Sequence, residues 1–551
     1  MWIEGEQLVP RRSSNDILSA NLLALPAATR QALETAASDR RVDLSHGHAA
    51  GTVLTGDGRR IAVHSSADPV ASAEALLDRC GHVPLLVVIG FGFGYLLDAV
   101  ERRGSDTKVL AVEPVLAIAR AMLSRRDCRE WLAGGRLALL VGPKFPDATE
   151  AWRLFGRDAA TPPVLVSPLA EQAFPTETAE ARATVARIVS GIKANAVARR
   201  KFAGRYLLNT LHNLPSVAEE GDASALFNLF PHTPAIIVAA GPSLDVNLPG
   251  IRAMQGRALI IAVDTAMRPL LAAGIQPHIT VGVDPSDLNA KHLTGLPPSG
   301  TALVAEGSLD RSVIPEFRGR TFAFRVSDHH PWPWLRSHGL ERGGLQAWGS
   351  VLTTAFDVAI KAGCNPLVFA GADLAYTRGL QYCRNTVYEP HWQHLVTDEE
   401  RAAAFRNYYL PQKPHLLQPD LHNQPTITTR DFMQFRDWIV ARASNANGRS
   451  VLNASGGGIL HGGAIVQATF NDLALPVLQD AEELPARIAA ARKQSVPSTE
   501  VGARVAEALT RQDELPLAEW LDFGGDTLTA EQILAAAGES ANRMAVLTCR
   551  S

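Results

Sequence analysis

Short, wholly apolar runs recur along the chain, and amphipathic stretches separate them. LLVVI (85–89), KVLAVEP (108–114) and RLALLVG (136–142) form a first series. A run without polar alternation is buried on both faces, the mark of a strand inside a parallel sheet. YLLDAVERRG, between the first two runs, has the spacing of an amphipathic helix. A second series comprises AIIVAA (235–240), ALIIAV (258–263), HITVGV (278–283), TALVAE (301–306), TFAFRV (321–326) and PLVFAG (366–371). TAMRPLLAAG and SVLTTAFDVAIKAG fit between them as helices. Strands alternating with helices predict an α/β protein with parallel sheets. From Thr176 to about Leu214 the chain reads as one long helix, expected to stop at Pro215 because proline lacks the backbone donor. Beyond about residue 425 the pattern turns helical, through RDFMQFRDWIVARAS, EELPARIAAARKQ, VGARVAEALTRQ and TAEQILAAAG.

A chain of 551 residues is too long for a single core. Its charged fraction is 20% and its net charge −3, which gives no overall basic footprint for nucleic acid. The five cysteines (Cys80, Cys128, Cys364, Cys383, Cys549) form no CxxC pair. Their scatter argues against a disulfide framework or a zinc site and leads to the expectation of a cytoplasmic protein. The N-terminal MWIEGEQLVPRRSSND has no signal-peptide core. The most apolar window, VPLLVVIGFGFGYLLDAV, is broken by glycines and Asp98, so no membrane span is expected.

Two glycine turns end apolar runs. GFGFG (90–94) follows the first strand, and Glu113 ends the next one. This resembles a nucleotide-binding turn, nearer to an S-adenosylmethionine fingerprint than to a dinucleotide one; a plain tight turn needs the same glycines. Gly241-Pro242-Ser243-Leu244 follows AIIVAA. There Gly241 permits close approach, Pro242 suits a helix's first turn, and Ser243 offers a hydroxyl and a free N–H to a phosphate. The organisation predicted is two Rossmann-like parallel-sheet domains followed by a helical C-terminal region. Its limits are an N-terminal domain at 1–175, a helical linker at 176–215, a central domain at 216–470 and helices at 471–551.

Three further segments follow GPSL in order: IIAVDTAMRPLLAAGIQPHITVGVDP (260–285), GSVLTTAFDVAIKAGCNPLVFAGADLAYT (349–377) and RSVLNASGGGILHGGAI (449–465). This series resembles the bacterial motility-associated factor (Maf) flagellin glycosyltransferases, and GFGFGY…VLAVEP is similar to that family's N-terminal domain. GPSL after a strand is also similar to the start of CMP-sialic-acid sialyltransferases, and the same core to an archaeal hydroxymethylpterin diphosphokinase. The Maf resemblance implies transfer of a nonulosonic acid (pseudaminic or legionaminic acid) from a CMP donor to Ser or Thr of flagellin, with no cofactor besides that donor. The alternatives are an ATP-dependent diphosphokinase and a non-catalytic flagellin-binding protein.

By the same resemblance Gly241, Pro242, Ser243 and Leu244 form the nucleotide turn, Asp264 and Thr265 meet ribose or base, and Gly349 and Ser350 meet phosphate or the sugar carboxylate. Asn453 and the glycines at 456–458 make a further close-approach turn. Asp284, Asp373, Tyr376 and His391 are candidates for base or stabiliser. An Asp at a strand end is also a common helix cap. Two positions depart from the family pattern: His278 stands where an acidic residue is usual, and no histidine follows DLAYT before His391 and His394. No DxD, HExxH or cysteine pair is present, so no metal is expected. His278, Asp284 and Asp287 are the residues that could still assemble one. The histidines of DHHPWPWLRSH (328–338) are expected to take surface or packing roles rather than to bind metal.

Overall fold

The computed structural model describes residues 14–36, 38–43, 52–54, 58–64, 68–142, 162–326, 329–389, 394–395, 397–408, 415–444, 446, 448–478 and 480–548. The chain divides into two compact units, Met1–Val197 and Ala198–Ser551.

The first unit holds an antiparallel sheet of β1 (Val42–Asp43), β2 (Thr52–Leu54) and β3 (Arg60–Ala62). Its main sheet is parallel, with β4 (Leu85–Ile89), β5 (Lys108–Glu113), β6 (Leu137–Val141) and β7 (Val164–Val166) in the order β6-β5-β4-β7. The apolar run of β4 splits between two cores. Leu86 and Val88 enter one cluster, and Leu85, Val87 and Ile89 the other. That division explains why the run shows no polar alternation.

The second unit is built on nine parallel strands: β8 (Gly221–Asp222), β9 (Ala235–Val238), β10 (Leu259–Val263), β11 (Ile279–Gly282), β12 (Ala302–Glu306), β13 (Thr321–Phe324), β14 (Leu367–Ala370), β17 (Val451–Asn453) and β18 (Ile465–Gln467). Their order is β18-β17-β14-β9-β10-β11-β12-β13-β8, and every neighbouring pair is parallel. All residues of β9 and β10 are buried. Burial of each large aliphatic side chain there contributes about 1.5–3 kcal/mol. From β9 the chain steps outward through β10 to β13. It then returns with β14 to the other side of β9 and continues through β17 and β18. The sheet therefore has a topological switch point between β9 and β14, where open α/β sheets bind ligands beyond the carboxyl ends of their strands.

Two expectations are corrected. The long helix spans Pro175–Glu219 and runs through Pro215. A proline in a helix leaves the carbonyl four residues earlier without its usual donor. Here that carbonyl, on Leu211, accepts the hydroxyl of Ser540, which is wholly buried on the C-terminal helix Ala530–Thr548. The region beyond residue 425 is also not simply helical. It holds β17, β18 and the second strand of an antiparallel hairpin, β15 (His415–Pro419) with β16 (Pro425–Thr429). The helices at 430–444, 484–494, 499–510 and 530–548 do form, and Leu484, Val505, Trp520 and Ile533 join the core of the nine-stranded sheet.

Candidate functional site

The turn after β9 is stitched to the turn after β14. The amide of Ala239 donates to the carbonyl of Ala370 (2.9 Å), and that of Gly241 to Gly371 (2.8 Å). Gly371 has φ +64°, and a Cβ there would strike the Ala239 carbonyl. From this turn Asp373 reaches back to β9. Its Oδ2 accepts the Ser243 amide (3.2 Å) and hydroxyl (2.6 Å), and its Oδ1 accepts the Thr377 hydroxyl (2.6 Å). Asp373 is 1% exposed. Burial raises its pKa, against the lowering effect of the Ser243 and Thr377 hydrogen bonds.

This geometry changes the reading of GPSL. Both Ser243 donors expected for a phosphate are engaged by a carboxylate of the same chain. Gly241 is required because Asp373 comes so near that a Cβ would clash with its carboxylate and with the Gly371 carbonyl. Pro242 lies in the turn before the helix Leu244–Ala253 rather than in its first turn, and Leu244 is wholly buried in the core.

A third segment closes on the same point. Ile459 donates its amide to the carbonyl of Asp373 (2.8 Å), and a Cβ on Gly458 would overlap that carbonyl. The close approach is therefore made by Gly457 and Gly458, to Asp373, while a Cβ on Gly456 would meet open space. Asn453 shapes this loop. It donates to the Leu460 carbonyl (2.9 Å) and to Gln467 Oε1 (3.0 Å) and accepts the Ser455 amide (3.1 Å). Asn247, which sequence reasoning missed, ties the segments together by accepting the Gly371 amide (3.0 Å) and donating to the carbonyls of Ala454 and Ser455. Tyr376 is buried against Ile427 of the hairpin and Phe432.

A second polar group sits one and two strands away. Asp264, at the end of β10, is 4% exposed and accepts the Thr265 amide (2.7 Å). Burial, with some help from the charge of Asp284, pushes its pKa up to about 7. Asp284, just beyond β11, is half-buried and accepts the Ser286 amide (2.8 Å). Asn209 of the long helix holds the next residue in place by donating to the carbonyls of Pro285 and Ser308 (3.0 Å each). Tyr382 and Tyr388 stack with centroids 5.0 Å apart, and Tyr388 meets His292 edge-on at 5.4 Å. Both phenols lie within electrostatic reach of Asp264. His292 and the tyrosine pair belong to no motif that spacing reveals; the two tyrosines in QYCRNTVY, directly after DLAYT, were the available signal.

Ser350 caps the helix Val351–Lys361 by accepting the Leu352 amide (3.3 Å), and Gly349 before it has φ +69°. This helix packs against β9, β10 and β11. His391 lies outside the described residues. Among the described residues no group of three or more His, Cys, Asp and Glu is arranged to hold a metal ion. The trio of His278, Asp284 and Asp287 does not come together. His278 precedes β11 and accepts the Ile260 amide (2.9 Å), whereas Asp284 follows the strand and Asp287 is exposed, 3.6 Å from Arg205. His329 stacks on Tyr206 (4.7 Å) and His330 packs edge-on against Phe523 (5.1 Å), as expected of packing residues.

In the first unit, Gly90, Gly92 and Gly94 all have positive φ. The Gly92 amide donates to buried Glu113 (3.0 Å), and the Phe93 amide donates to His64 Nε2 (2.8 Å). Burial raises the Glu113 pKa to about 7. Among the described residues, no helix is long and apolar enough to cross a membrane.

Residues 208–379 match the family model described as 6-hydroxymethylpterin diphosphokinase MptE-like. An MptE-like region therefore contains both turns of the switch point, together with Asp264, Asp284 and His292. A 128-residue stretch is 28% identical to an uncharacterized protein of Treponema pallidum (strain Nichols), over 23% of this chain and 60% of that protein's length. Among solved structures, the MAf glycosyltransferase from Magnetospirillum magneticum AMB-1 is similar at 16% identity and a TM-score of 0.45, covering 97% of this chain and 91% of that one.

Proposed function

We propose that the second unit is a nucleotide-dependent glycosyltransferase that moves a nonulosonic acid from a CMP donor to Ser or Thr hydroxyls of flagellin in the cytoplasm. The observation that carries this reading is the meeting of the GPSL turn and Asp373 at the switch point of a parallel sheet, where nucleotides bind. The sequence resemblance supplies the donor and acceptor. Transfer displaces CMP from the anomeric carbon as an acceptor hydroxyl attacks and loses its proton to a base.

The burial and partners of the carboxylates support a different proposed task for each. Asp373 is sealed and engaged on both oxygens, so it is a positioning residue that fixes the GPSL turn. Asp264 is sealed and holds its proton up to near neutral pH. Asp284 is the partly exposed one, and it is the proposed general base. Charge on a departing monophosphate is within the means of oriented amides, so transfer is expected to need no divalent cation.

A second reading is favoured by the family-model match: transfer of diphosphate from ATP to a hydroxymethylpterin. Thermal-shift titration with CMP, CTP and ATP separates the two, since a ligand that binds the native state raises its melting temperature. Stabilisation by cytidine nucleotides alone supports the glycosyltransferase. Stabilisation by ATP alone favours the diphosphokinase.

A further inference from the structure

The hairpin of β15 and β16 is pinned to the switch-point turn by its inner strand. The Tyr376 amide donates to the Ile427 carbonyl (2.8 Å), and the Thr428 hydroxyl donates to the Leu374 carbonyl (2.8 Å). Leu374, directly after Asp373, has φ +49°, a conformation that a leucine keeps only where its surroundings fix it. The tip is held as well. The Leu421 amide donates to the Gly458 carbonyl (3.1 Å), and His461 Nε2 lies 3.3 Å from the Pro419 carbonyl. A two-stranded hairpin is barely stable by itself, and these contacts make this one a fixed platform beside Asp373.

Ile427 stands opposite Leu417 in the hairpin. Its carbonyl turns away from β15 to reach Tyr376, so the two residues form a pair without mutual hydrogen bonds. The amide and carbonyl of Leu417 therefore also turn outward, to the free edge of β15. Among the described residues no hydrogen bond reaches either group. The Leu417 side chain is 66% exposed and continues the apolar strip of Tyr376 and Ile427. Sheet edges are commonly guarded by charge, and HLLQP contains no Lys, Arg, Asp or Glu.

An outward amide and carbonyl flanking an apolar side chain are answered by an extended polypeptide, which offers its own backbone groups in register. A nucleotide or a sugar has no such repeat. The edge ends, at Pro419, on the glycine loop that closes on Asp373, so a strand laid along it leads to the candidate site. We propose that β15 is the docking edge for the acceptor protein, an extended segment of which adds a strand to the hairpin and so brings a Ser or Thr to the site. The proposal rests on the reading of this chain as a protein glycosyltransferase.

The test is amide hydrogen exchange of the full chain with and without purified flagellin, joined to the flagellin affinity of Leu417→Pro and Leu417→Lys. Proline removes the outward amide without touching a bond to β16, and lysine puts a charge on the edge. Exchange at Leu417 is expected to slow when flagellin is added. Both variants, with native melting curves and native CMP affinity, are expected to bind flagellin at least about tenfold more weakly, the loss of a backbone hydrogen bond. If the proline variant melts early, the lysine variant decides. Unchanged exchange in a native chain that binds flagellin, or unchanged affinity in a folded variant, overturns the docking edge and leaves the glycosyltransferase reading intact. A native chain that binds CMP but not flagellin overturns the acceptor reading and the docking edge together. Self-association of the native chain that Leu417→Pro abolishes, with flagellin affinity unchanged, makes β15 a contact between two copies and overturns the proposal.

Discussion

Asp373 touches three stretches of chain that lie far apart in sequence: the Ser243 turn, Thr377 and, through its carbonyl, Ile459. Asp373→Asn should fold, because the amide oxygen can still accept from Ser243 while the rotatable Thr377 hydroxyl turns to accept from the new NH₂. We expect transfer to fall about 100-fold, the scale of a displaced positioning group. A variant that keeps full activity would remove Asp373 from the site. Asp264 gives a pH signature. Its folded pKa, about 7, lies above the ordinary 3.8. Its stabilising contribution is therefore complete below about pH 4 and lost as the pH rises through 7. Asp264→Asn should flatten the decline of melting temperature between about pH 4 and 7 and be more stable by a few degrees at the upper end. Parallel melting curves for variant and native chain would show that Asp264 is not titrating in this range. At this scale the strand-end aspartates were legible, because their type and their place after apolar runs are local facts. His292, Asn209 and Asn247 were not, because their roles exist only once distant turns have met.

The strands of both parallel sheets could be read from apolar runs, since burial on two faces leaves no other composition. The short β7, β8, β17 and β18 and the half-exposed hairpin are the exceptions, with too few residues for a periodic signal. The Pro215 helix shows why local rules stop short. A proline ends a helix when nothing else satisfies the freed carbonyl, and here Ser540 does so from 329 residues along the chain. Ser540→Ala should cost about 1–3 kcal/mol by denaturant unfolding. In a Pro215→Ala background the restored amide serves Leu211, so the same change should cost much less. Equal costs in both backgrounds would contradict the compensation. The glycine loop offers a complementary check. Gly458→Ala should destabilise the fold, because its Cβ meets the Asp373 carbonyl and its φ is +81°. An unchanged melting temperature would mean that the loop closes differently.

The molecule joins two parallel-sheet units whose glycine turns are used differently. In the first, Glu113 and His64 take the amides of Gly92 and Phe93, which a bound nucleotide would need. We expect S-adenosylmethionine to leave the melting temperature unchanged and no methyl group to be transferred; a clear shift, lost on Gly92 substitution, would contradict this. In the second unit the strand order reverses between β9 and β14, and the GPSL turn meets Asp373 there. Glycosylation should proceed in excess EDTA, and activity that returns only with Mg²⁺ or Mn²⁺ would assign a metal to the carboxylates. The most direct measurement is the intact mass of flagellin incubated with the purified chain and a CMP-nonulosonic acid. The expected result is a gain of one or more whole nonulosonate residues, formed about 100-fold more slowly with Asp373→Asn. Unmodified flagellin in the presence of intact donor, with diphosphate transferred from ATP to a hydroxymethylpterin instead, would contradict it.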